Sequence, residues 1–309
     1  MNKKNVLTVK NLNKTYQKKG SNPVTAIENL NLNVQQGEIF GLLGPNGAGK
    51  TTFINILSGS VIKTSGFVEV WGFNLDKNPR QVRASIGIVA QDVNLDPFFT
   101  PESLLDLQAG LYGIKKKDRI TSKILNLVSL EKQAKSYARS LSGGMKRRLM
   151  VAKSLVHQPP IIILDEPTAG VDVELRQNLW KNVKTLNQEG VTIILTTHYL
   201  EEAEKMCDRI GILNKGNLVA LDTTQKLLEK IQIKKISIKV NNRVNINENK
   251  FKTLKIVSST NDEINLSYDK NELKIDQIIK LIEENGARIL DLSTDDGDLE
   301  DVFLSLTKS

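Results

Sequence analysis

The amino-terminal part of the chain contains a glycine-rich segment between an apolar run and a helical pattern. The segment reads Gly44-Pro45-Asn46-Gly47-Ala48-Gly49-Lys50-Thr51, with Thr52 next, and it fits G-x-x-x-x-G-K-[ST]. Its glycines let backbone N–H groups point inward at an anion, and the helix start adds the positive end of its dipole. The strand–loop–helix context and the Gly-Lys-Thr ending favour a phosphate-binding loop over a plain turn. Lys50 is expected on the β- and γ-phosphates and Thr51 on Mg²⁺.

Residues 1–228 alternate short apolar runs with helical patterns. Several runs are apolar at consecutive positions, as in parallel strands that helices cover on both faces. This pattern predicts an α/β domain with a mainly parallel sheet and a helical insertion at about 92–160. The predicted strands are 38–43, 85–89, 161–164, 191–196 and 209–214, and the predicted helices are 49–58, 101–112, 117–128, 143–156, 173–188 and 200–207.

Residues 229–309 have a different pattern and predict a small α+β accessory domain. Segments 233–240 and 263–268 alternate apolar and polar positions, as half-exposed strands do. Segment 275–284 has helical spacing and stops before Gly286, a candidate C-cap. Asp298 is placed to cap a short closing helix. An Asn-rich loop is expected at 241–249.

Charge is unevenly divided along the chain. The formal net charge is +8, but residues 229–309 carry −2, so residues 1–228 carry +10. Such an excess indicates an anionic partner. No nucleic acid is expected, because no Lys/Arg stripe is interleaved with aromatic residues, which make up only 5% of the chain. A phosphate-bearing ligand or a membrane surface explains the charge at least as well.

The remaining composition predicts a soluble, cytosolic protein. Cys207 is the only cysteine, which excludes an internal disulfide framework and fits a reducing compartment. The amino terminus lacks the apolar stretch of a signal peptide. No run approaches the ~20 apolar residues that a spanning helix needs.

Two acidic residues end the apolar run 161–164. Ligands of open α/β sheets bind at the carboxyl ends of strands, so both are expected to face the phosphate loop. Asp165 suits the ligand shell of Mg²⁺, and Glu166 can polarise a water that attacks a γ-phosphate. Acidic residues at a strand end are common, so this signal depends on the phosphate loop.

A second glycine pair lies in Leu141-Ser142-Gly143-Gly144-Met145. Ser142 can cap the following helix, and the two glycines expose backbone N–H groups at its start, which makes a second anion site. Taken alone, an ordinary helix cap explains the segment equally well. Two phosphate-binding helix starts for one nucleotide indicate that a second subunit contributes one of them.

Together these motifs resemble those of the nucleotide-binding subunits of ABC transporters, over about residues 5–225. The resemblance implies a P-loop NTPase ABC cassette: a RecA-like, mainly parallel core sheet, an antiparallel β subdomain and a helical subdomain. Here a C-terminal α+β appendage follows. The matching segments also include the glutamine loop Val89-Ala90-Gln91-Asp92, the aspartate loop Ala169-Gly170-Val171-Asp172, the switch histidine in Thr196-Thr197-His198, and Tyr16 as the aromatic residue that stacks on adenine.

The resemblance further implies a head-to-tail homodimer that sandwiches two MgATP. Each ATP would contact the phosphate loop of one subunit and residues 142–144 of the other. Glu166 would act as general base, and His198 would bind the γ-phosphate and help to hold the water. Gln91 would contact Mg²⁺ or the water, with Thr51 and Asp165 as further metal ligands. A core histidine is the alternative for His198.

Three segments look most like exporters of the drug- and polysaccharide-efflux type: 170–172, 198–203 and 299–304. Met145 replaces the family's usual Gln, as is frequent in that branch, and cannot donate a side-chain hydrogen bond to the opposing ribose. The chain is therefore expected to lie peripherally on the cytoplasmic face of the plasma membrane and to act through separate transmembrane permease subunits. Nothing in the sequence indicates the transported substrate.

The expected permease contact is segment 92–112, where Phe98, Phe99 and Leu104 have no evident core role. Packing inside the helical insertion is the alternative for these three residues. The accessory domain either regulates or supports the dimer, or only stabilises the chain.

Three other functions compete with an export ATPase. Soluble ABC ATPases of ribosomes or DNA usually have two cassettes or a long heptad insertion, and this chain has neither. An importer ATPase is disfavoured only by the exporter-like segments. A non-enzymatic binding module does not explain Asp165, Glu166 and His198.

Overall fold

The computed structural model describes residues 4–17, 20, 22–168, 173–242, 244, 253–295 and 297–307. The chain divides into two units, residues 1–222 and 223–309. The sequence pattern puts the division after residue 228, which assigns all but the last residue of the helix at 224–229 to the first part instead. The extent of the two domains therefore stays a prediction.

An antiparallel sheet forms one layer of the first unit. Its strand order is β2-β1-β4-β5. The inward-facing apolar residues of β1 and β2 join the main hydrophobic cluster of the unit. These strands are β1 (Asn5–Tyr16), β2 (Val24–Gln35), β4 (Ser65–Val70) and β5 (Phe73–Asn74).

A six-stranded sheet forms the core of the first unit, in the order β10-β9-β3-β8-β7-β6. The five strands from β9 to β6 run parallel, which confirms the predicted mainly parallel sheet. All five residues of β3 and of β7 are buried, as expected for strands covered on both faces. The strands are β3 (Ile39–Leu43), β6 (Ile86–Val89), β7 (Ile161–Asp165), β8 (Thr192–Thr197), β9 (Arg209–Asn214) and β10 (Asn217–Thr223).

Helices connect these strands, and three of them lie in the segment 92–160. The helix predicted at 117–128 begins later, at Thr121, because Lys116–Asp118 form a 3-10 turn and Arg119 has extended backbone. The helices of the unit are α1 (Lys50–Ser58), α2 (Pro79–Ala84), α3 (Pro101–Leu111), α4 (Thr121–Leu127), α5 (Gly143–Leu155), α6 (Val173–Gln188) and α7 (Leu200–Met206).

The structure separates the three apolar residues expected at a permease contact. Phe98 is 69% exposed, and Phe99 is half-buried. Leu104 is only 7% exposed, so its assignment to a docking surface is wrong. It lies on the buried side of α3 with Leu105, and its burial stabilises the helical segment.

The second unit contains an antiparallel sheet in the order β12-β13-β11-β14. One face of the sheet packs on the buried side of α9. Asp298 Oδ1 accepts from the backbone N–H groups of Glu300 and Asp301, which confirms the predicted cap of the closing helix. The loop predicted at 241–249 lies largely outside the described residues. The elements are α8 (Thr224–Glu229), β11 (Ile233–Val240), β12 (Lys255–Ser259), β13 (Glu263–Asp269), α9 (Ile275–Glu284), β14 (Ile289–Asp295) and α10 (Leu299–Thr307).

Leu266 on β13 tests whether the second unit has its own core. Leu266 is fully buried and Val257 on β12 is 62% exposed. Leu266→Ala should lower the free energy of unfolding by roughly 2–5 kcal/mol, because it leaves a cavity in a packed core. Val257→Ala is the control and should change stability by less than about 0.5 kcal/mol. Urea denaturation followed by circular dichroism measures both, and equal losses would contradict the assignment of Leu266 to the core.

Candidate active site

The phosphate loop connects β3 to α1, and glycine is required at two of its positions. Gly49 is the N-cap of α1 with φ 108°, in the left-handed region that favours glycine. A Cβ on Gly49 would lie 2.5 Å from the carbonyl oxygen of Ala26, and one on Gly44 would lie 2.5 Å from that of Leu213. A side chain at either position would push the loop away from these neighbouring segments.

Lys50 is the first residue of α1, and its ammonium is buried in the loop. Nζ donates to the carbonyl oxygens of Gly44 at 2.6 Å and Pro45 at 3.3 Å. Burial lowers the pKa of Lys50, and the nearby carboxylates of Glu166 and Asp165 oppose that shift. The ammonium is therefore fixed inside the loop, close to two carboxylates.

A cavity of about 710 Å³ opens over the phosphate loop. Its volume lies within the ~300–1,000 Å³ of small-molecule sites. Loop backbone at a helix start, a lysine and threonine hydroxyls form the kind of donor set that binds phosphate groups. The lining residues are Ala26, Asn46, Gly47, Ala48, Gly49, Lys50, Thr51, Thr52, Gln91, Glu166 and His198.

Glu166 follows the last residue of β7 and has an unusual backbone conformation. Its φ is 46°, a left-handed value that costs roughly 1–3 kcal/mol in a non-glycine residue. The backbone N–H of Glu166 donates to the carbonyl oxygen of Thr196 at 3.0 Å, with the Thr196 hydroxyl as a second acceptor at 3.2 Å. These contacts to β8 help to hold the strained residue, whose side chain lines the cavity.

Three side chains that follow different strands meet at one carboxylate oxygen. Glu166 Oε2 accepts a hydrogen bond from Gln91 Nε2 at 3.2 Å, and His198 Nδ1 lies 3.2 Å from the same oxygen. The His198 side chain is 45% exposed and lines the cavity, unlike a core histidine. A carboxylate held in this way beside a phosphate loop is suited to take a proton from a water molecule.

Asp165 is the last residue of β7, and its carboxylate is buried. Its Oδ1 accepts a hydrogen bond from the Thr196 hydroxyl at 2.5 Å. Burial raises the pKa of Asp165, while this hydrogen bond opposes the shift. Within the described ranges, no group of three or more His, Cys, Asp and Glu side chains could hold a metal ion by itself.

Residues 142–144 lie at the start of α5, outside the cavity. The Ser142 hydroxyl accepts from the backbone N–H of Met145 at 3.3 Å, so it caps the helix. Ser142 and Gly143 are exposed, and a Cβ added to Gly143 would meet open space. This helix start is therefore accessible to a ligand held by another molecule.

The structure leaves some predicted contacts outside the cavity. Tyr16 is 40% exposed at the end of β1, with Lys14 Nζ 4.6 Å above its ring, and its stacking on adenine stays a prediction. Gly44 and Pro45 do not line the cavity, and their carbonyl oxygens accept hydrogen bonds from Lys50 Nζ. The aspartate loop, residues 169–172, lies outside the described residues.

Sequence reasoning assigned no role to two residues of the site. Thr196 contacts both Asp165 and Glu166 from β8. Its signal is a hydroxyl directly after an apolar run, two residues before the switch histidine His198. Ala26 reaches the cavity from β2, and no local pattern marks it.

Fold and site together define a class of protein. A glycine-rich loop at the end of a buried parallel strand holds a lysine, and a carboxylate at the end of another strand of the same sheet faces it. Proteins with this arrangement are P-loop nucleoside triphosphatases.

Comparisons with known proteins place the chain within that class. Residues 27–169 match the family described as ABC transporter. The linearmycin resistance ATP-binding protein of Bacillus subtilis (strain 168) is 33% identical over 98% of this chain and 98% of its own length. A Nod factor export ATP-binding protein of Ralstonia nicotianae is 36% identical over 72% of this chain and 68% of its own length.

Solved structures agree with the sequence matches. An ATP-binding subunit of an ABC transporter has a TM-score of 0.65 at 29% identity and covers 73% of this chain and 92% of its own. A dimeric ATP-binding cassette, in a post-hydrolysis state bound to ADP and Pi, has a TM-score of 0.63 at 28% identity, over 71% of this chain and 98% of its own. The chain belongs to the ABC transporter family of ATP-binding proteins and is an ATPase of that family.

Lys50→Ala tests the phosphate loop. We expect ATP binding to weaken ~10- to 100-fold, since a hydrogen bond to a charged group contributes roughly 1.5–3 kcal/mol. Lys63→Ala is the control, because Lys63 pairs with Asp76 at 3.0 Å and does not line the cavity. A titration with fluorescent ATP measures both variants. Unchanged affinity in Lys50→Ala would rule out a direct contact between Lys50 and phosphate.

Proposed function

We propose that this chain is the ATP-hydrolysing subunit of an ABC exporter, that it dimerises around two MgATP, and that it drives export through a separate membrane subunit. The main support is that Gln91 and His198 converge on Glu166 in the cavity that contains Lys50. This arrangement would place a proton acceptor and two polar side chains next to the terminal phosphate of a bound nucleotide. The names of the relatives, which concern resistance and export, support transport out of the cell.

The phosphate loop would hold the triphosphate. Its backbone N–H groups and the Lys50 ammonium would bind β- and γ-phosphate oxygens, which would orient the terminal phosphoryl group toward Glu166. Mg²⁺, when bound, would neutralise charge between the β- and γ-phosphates. Thr51 would be a direct ligand, and Gln91 and Asp165 would bind through their oxygens or through water.

Glu166 would act as general base for the attacking water. The water oxygen forms a bond to the γ-phosphorus, its proton passes to the Glu166 carboxylate, and the bond between that phosphorus and the β–γ bridging oxygen breaks. Gln91 and His198 both contact Glu166 and would keep the water and the γ-phosphate in place. ADP and phosphate are the products.

A second copy of the chain would complete each site. Ser142 and Gly143 are exposed at the start of α5 and do not line the cavity of their own chain. In a head-to-tail homodimer they would offer backbone N–H groups and a hydroxyl to the γ-phosphate held by the partner. ATP drives closure only if it binds the closed dimer better than the open one. The dimeric cassette among the structural neighbours supports this arrangement.

Export is supported by the names of the relatives, which concern linearmycin resistance and Nod factor export. Among the helices that the structure describes, none combines the length and the hydropathy that a bilayer-spanning segment requires. We infer that permease subunits provide the pathway and that this chain binds them at the cytoplasmic face of the membrane. We assign the permease contact to Phe98, an exposed aromatic residue that follows the cavity residue Gln91 closely in the sequence.

Glu166→Gln tests the general base and the dimer together. The amide keeps the shape of the side chain but cannot accept the proton, so turnover should fall ~10²- to 10⁴-fold while ATP affinity stays near the parental value. Because hydrolysis no longer opens the dimer, ATP should shift the chain from monomer to dimer in light scattering.

Glu189→Gln is the matched control, because Glu189 is exposed beyond the end of α6. It should keep the parental rate and show no ATP-trapped dimer. Parental turnover in Glu166→Gln would overturn the general-base assignment. A strictly monomeric, ATP-loaded Glu166→Gln protein would overturn the dimer.

Phe98→Ala tests the permease contact. Loss of an exposed aromatic anchor should reduce ATP-driven transport about tenfold or more in vesicles that contain the permease, since aromatic residues dominate interface energies. ATPase activity of the isolated chain should not change. Val24→Ala is the control, because Val24 is 64% exposed on β2. Equal loss of transport and isolated ATPase activity would indicate damage to the fold and would contradict the docking role.

A further inference from the structure

Arg147 is a buried basic residue that the proposed reaction leaves without a role. It lies on α5, one turn after the exposed helix start, and is only 6% exposed. Five backbone carbonyl oxygens surround its guanidinium. Nε donates to Pro167 at 3.0 Å, Nη1 to Ala90 at 2.7 Å and Gln91 at 2.8 Å, and Nη2 to Asp165 at 3.2 Å and Glu166 at 2.9 Å.

These carbonyl oxygens belong to two separate segments. Residues 90–91 follow β6, and residues 165–167 end and follow β7, the neighbouring strand. One planar guanidinium therefore joins the backbone at Gln91 to the backbone at Glu166. A side chain with donors in a fixed planar fork is suited to this, whereas a lysine offers a single ammonium. The nearby carboxylates of Asp165 and Asp92 stabilise the buried charge.

We propose that Arg147 is a positioning residue for ATP hydrolysis, which fixes the backbone of Gln91 and Glu166 so that their side chains meet beside the phosphate loop. The proposal rests on the roles given above to Glu166 and Gln91. Arg147 itself does not line the cavity.

The geometry explains why a distant side chain affects the chemical step. The hydrogen bond of 3.2 Å between Gln91 and Glu166 joins two side chains whose backbone carbonyl groups both bind Arg147. Glu166 also has a left-handed φ of 46°, which persists only where surrounding contacts hold it. Without the guanidinium, five carbonyl oxygens lose a donor, and the Glu166 backbone loses one of the contacts that hold its conformation.

ATP binding depends on different elements. Lys50 and the phosphate loop belong to β3 and α1, and Lys50 binds carbonyl oxygens of its own loop. Arg147 has no hydrogen bond to that loop among its contacts in the described structure. Loss of Arg147 should therefore lower kcat and leave ATP affinity unchanged.

Arg148, the next residue, offers a matched control. It also donates to two backbone carbonyl oxygens, Val128 at 2.9 Å and Ser129 at 3.0 Å. Those residues follow α4, away from the residues that line the cavity. Replacing Arg148 removes a similar bridge from the same helix without touching Gln91 or Glu166.

The experiment compares Arg147→Gln, Arg147→Lys and Arg148→Gln in the full chain. Arg147→Gln should lower kcat at least ~30-fold, because small displacements of catalytic groups cost up to ~10²-fold. Its KM and Kd for ATP should stay within about twofold, since the phosphate loop is unaltered. Arg147→Lys keeps the positive charge but has fewer hydrogen-bond donors, so its kcat should lie between those of the parental chain and Arg147→Gln. Arg148→Gln should keep kcat within about threefold of the parental value, even if its melting temperature falls.

Gln91→Ala provides a second measurement. If Arg147 acts through Gln91 and Glu166, the kcat losses of Gln91→Ala and Arg147→Lys should not multiply in the double variant. This comparison uses the lysine variant, so it holds even if Arg147→Gln fails to fold.

Three results would overturn the proposal. Arg147→Lys could keep the parental kcat, or it could lose kcat and ATP affinity to the same extent. Arg148→Gln could lose as much kcat as the Arg147 variants. Glu166→Gln, measured alongside, separates this failure from that of the proposed function. If Glu166→Gln is inactive while Arg147→Lys is fully active, only the role of Arg147 is wrong. If Glu166→Gln is active, the proposed general base is wrong.

Discussion

The register of the parallel sheet is the constraint on which the site depends. Leu43 at the end of β3 pairs with Thr197 of β8, and Thr196 pairs with Asp165 of β7. Neighbouring strands lie only ~4.8 Å apart, so the residues that follow these pairs start from adjacent positions. The phosphate loop, His198 and Glu166 are those residues. Three segments far apart in the chain therefore meet without any long loop to guide them.

The fourth segment of the site follows the same rule. Val89 of β6 pairs with Leu164 of β7, and Gln91 follows two residues later. Because the pairing places Gln91 beside Glu166, one side-chain hydrogen bond of 3.2 Å joins them. The strands fix where each segment begins, but they do not fix how each segment turns after it leaves the sheet.

The turn after β7 depends on two features that are each energetically unfavourable by themselves. Glu166 adopts a left-handed backbone, and Arg147 is a charge buried among carbonyl oxygens. Each would be unfavourable alone, by strain in one case and desolvation in the other. Together they compensate, because the guanidinium binds the carbonyl oxygens that the turn after β7 presents. Thr196, on the neighbouring strand β8, accepts a further hydrogen bond from the backbone N–H of Glu166.

The sequence predicted what is local and missed what depends on packing. The phosphate loop, the strand before Asp165 and the cap at Ser142 are encoded in adjacent residues, so their patterns were sufficient. The strand order of the sheet is not sequential, and no local pattern contains it. Arg147 lies between Lys146 and Arg148, in a basic run to which the sequence patterns assigned no role. Its signal is helical spacing, since it shares a face with the buried Met150, Val151 and Ser154.

The position of α5 links the two kinds of contact in the proposed dimer. Its first residues are exposed, where the partner's nucleotide would bind, and Arg147 one turn later donates to the backbone carbonyl oxygen of Glu166 in its own chain. A helix is stiff over this distance of about one turn, or ~5 Å, so its two contacts move together. Nucleotide bound by one subunit would then pull on the backbone of Glu166 in the other.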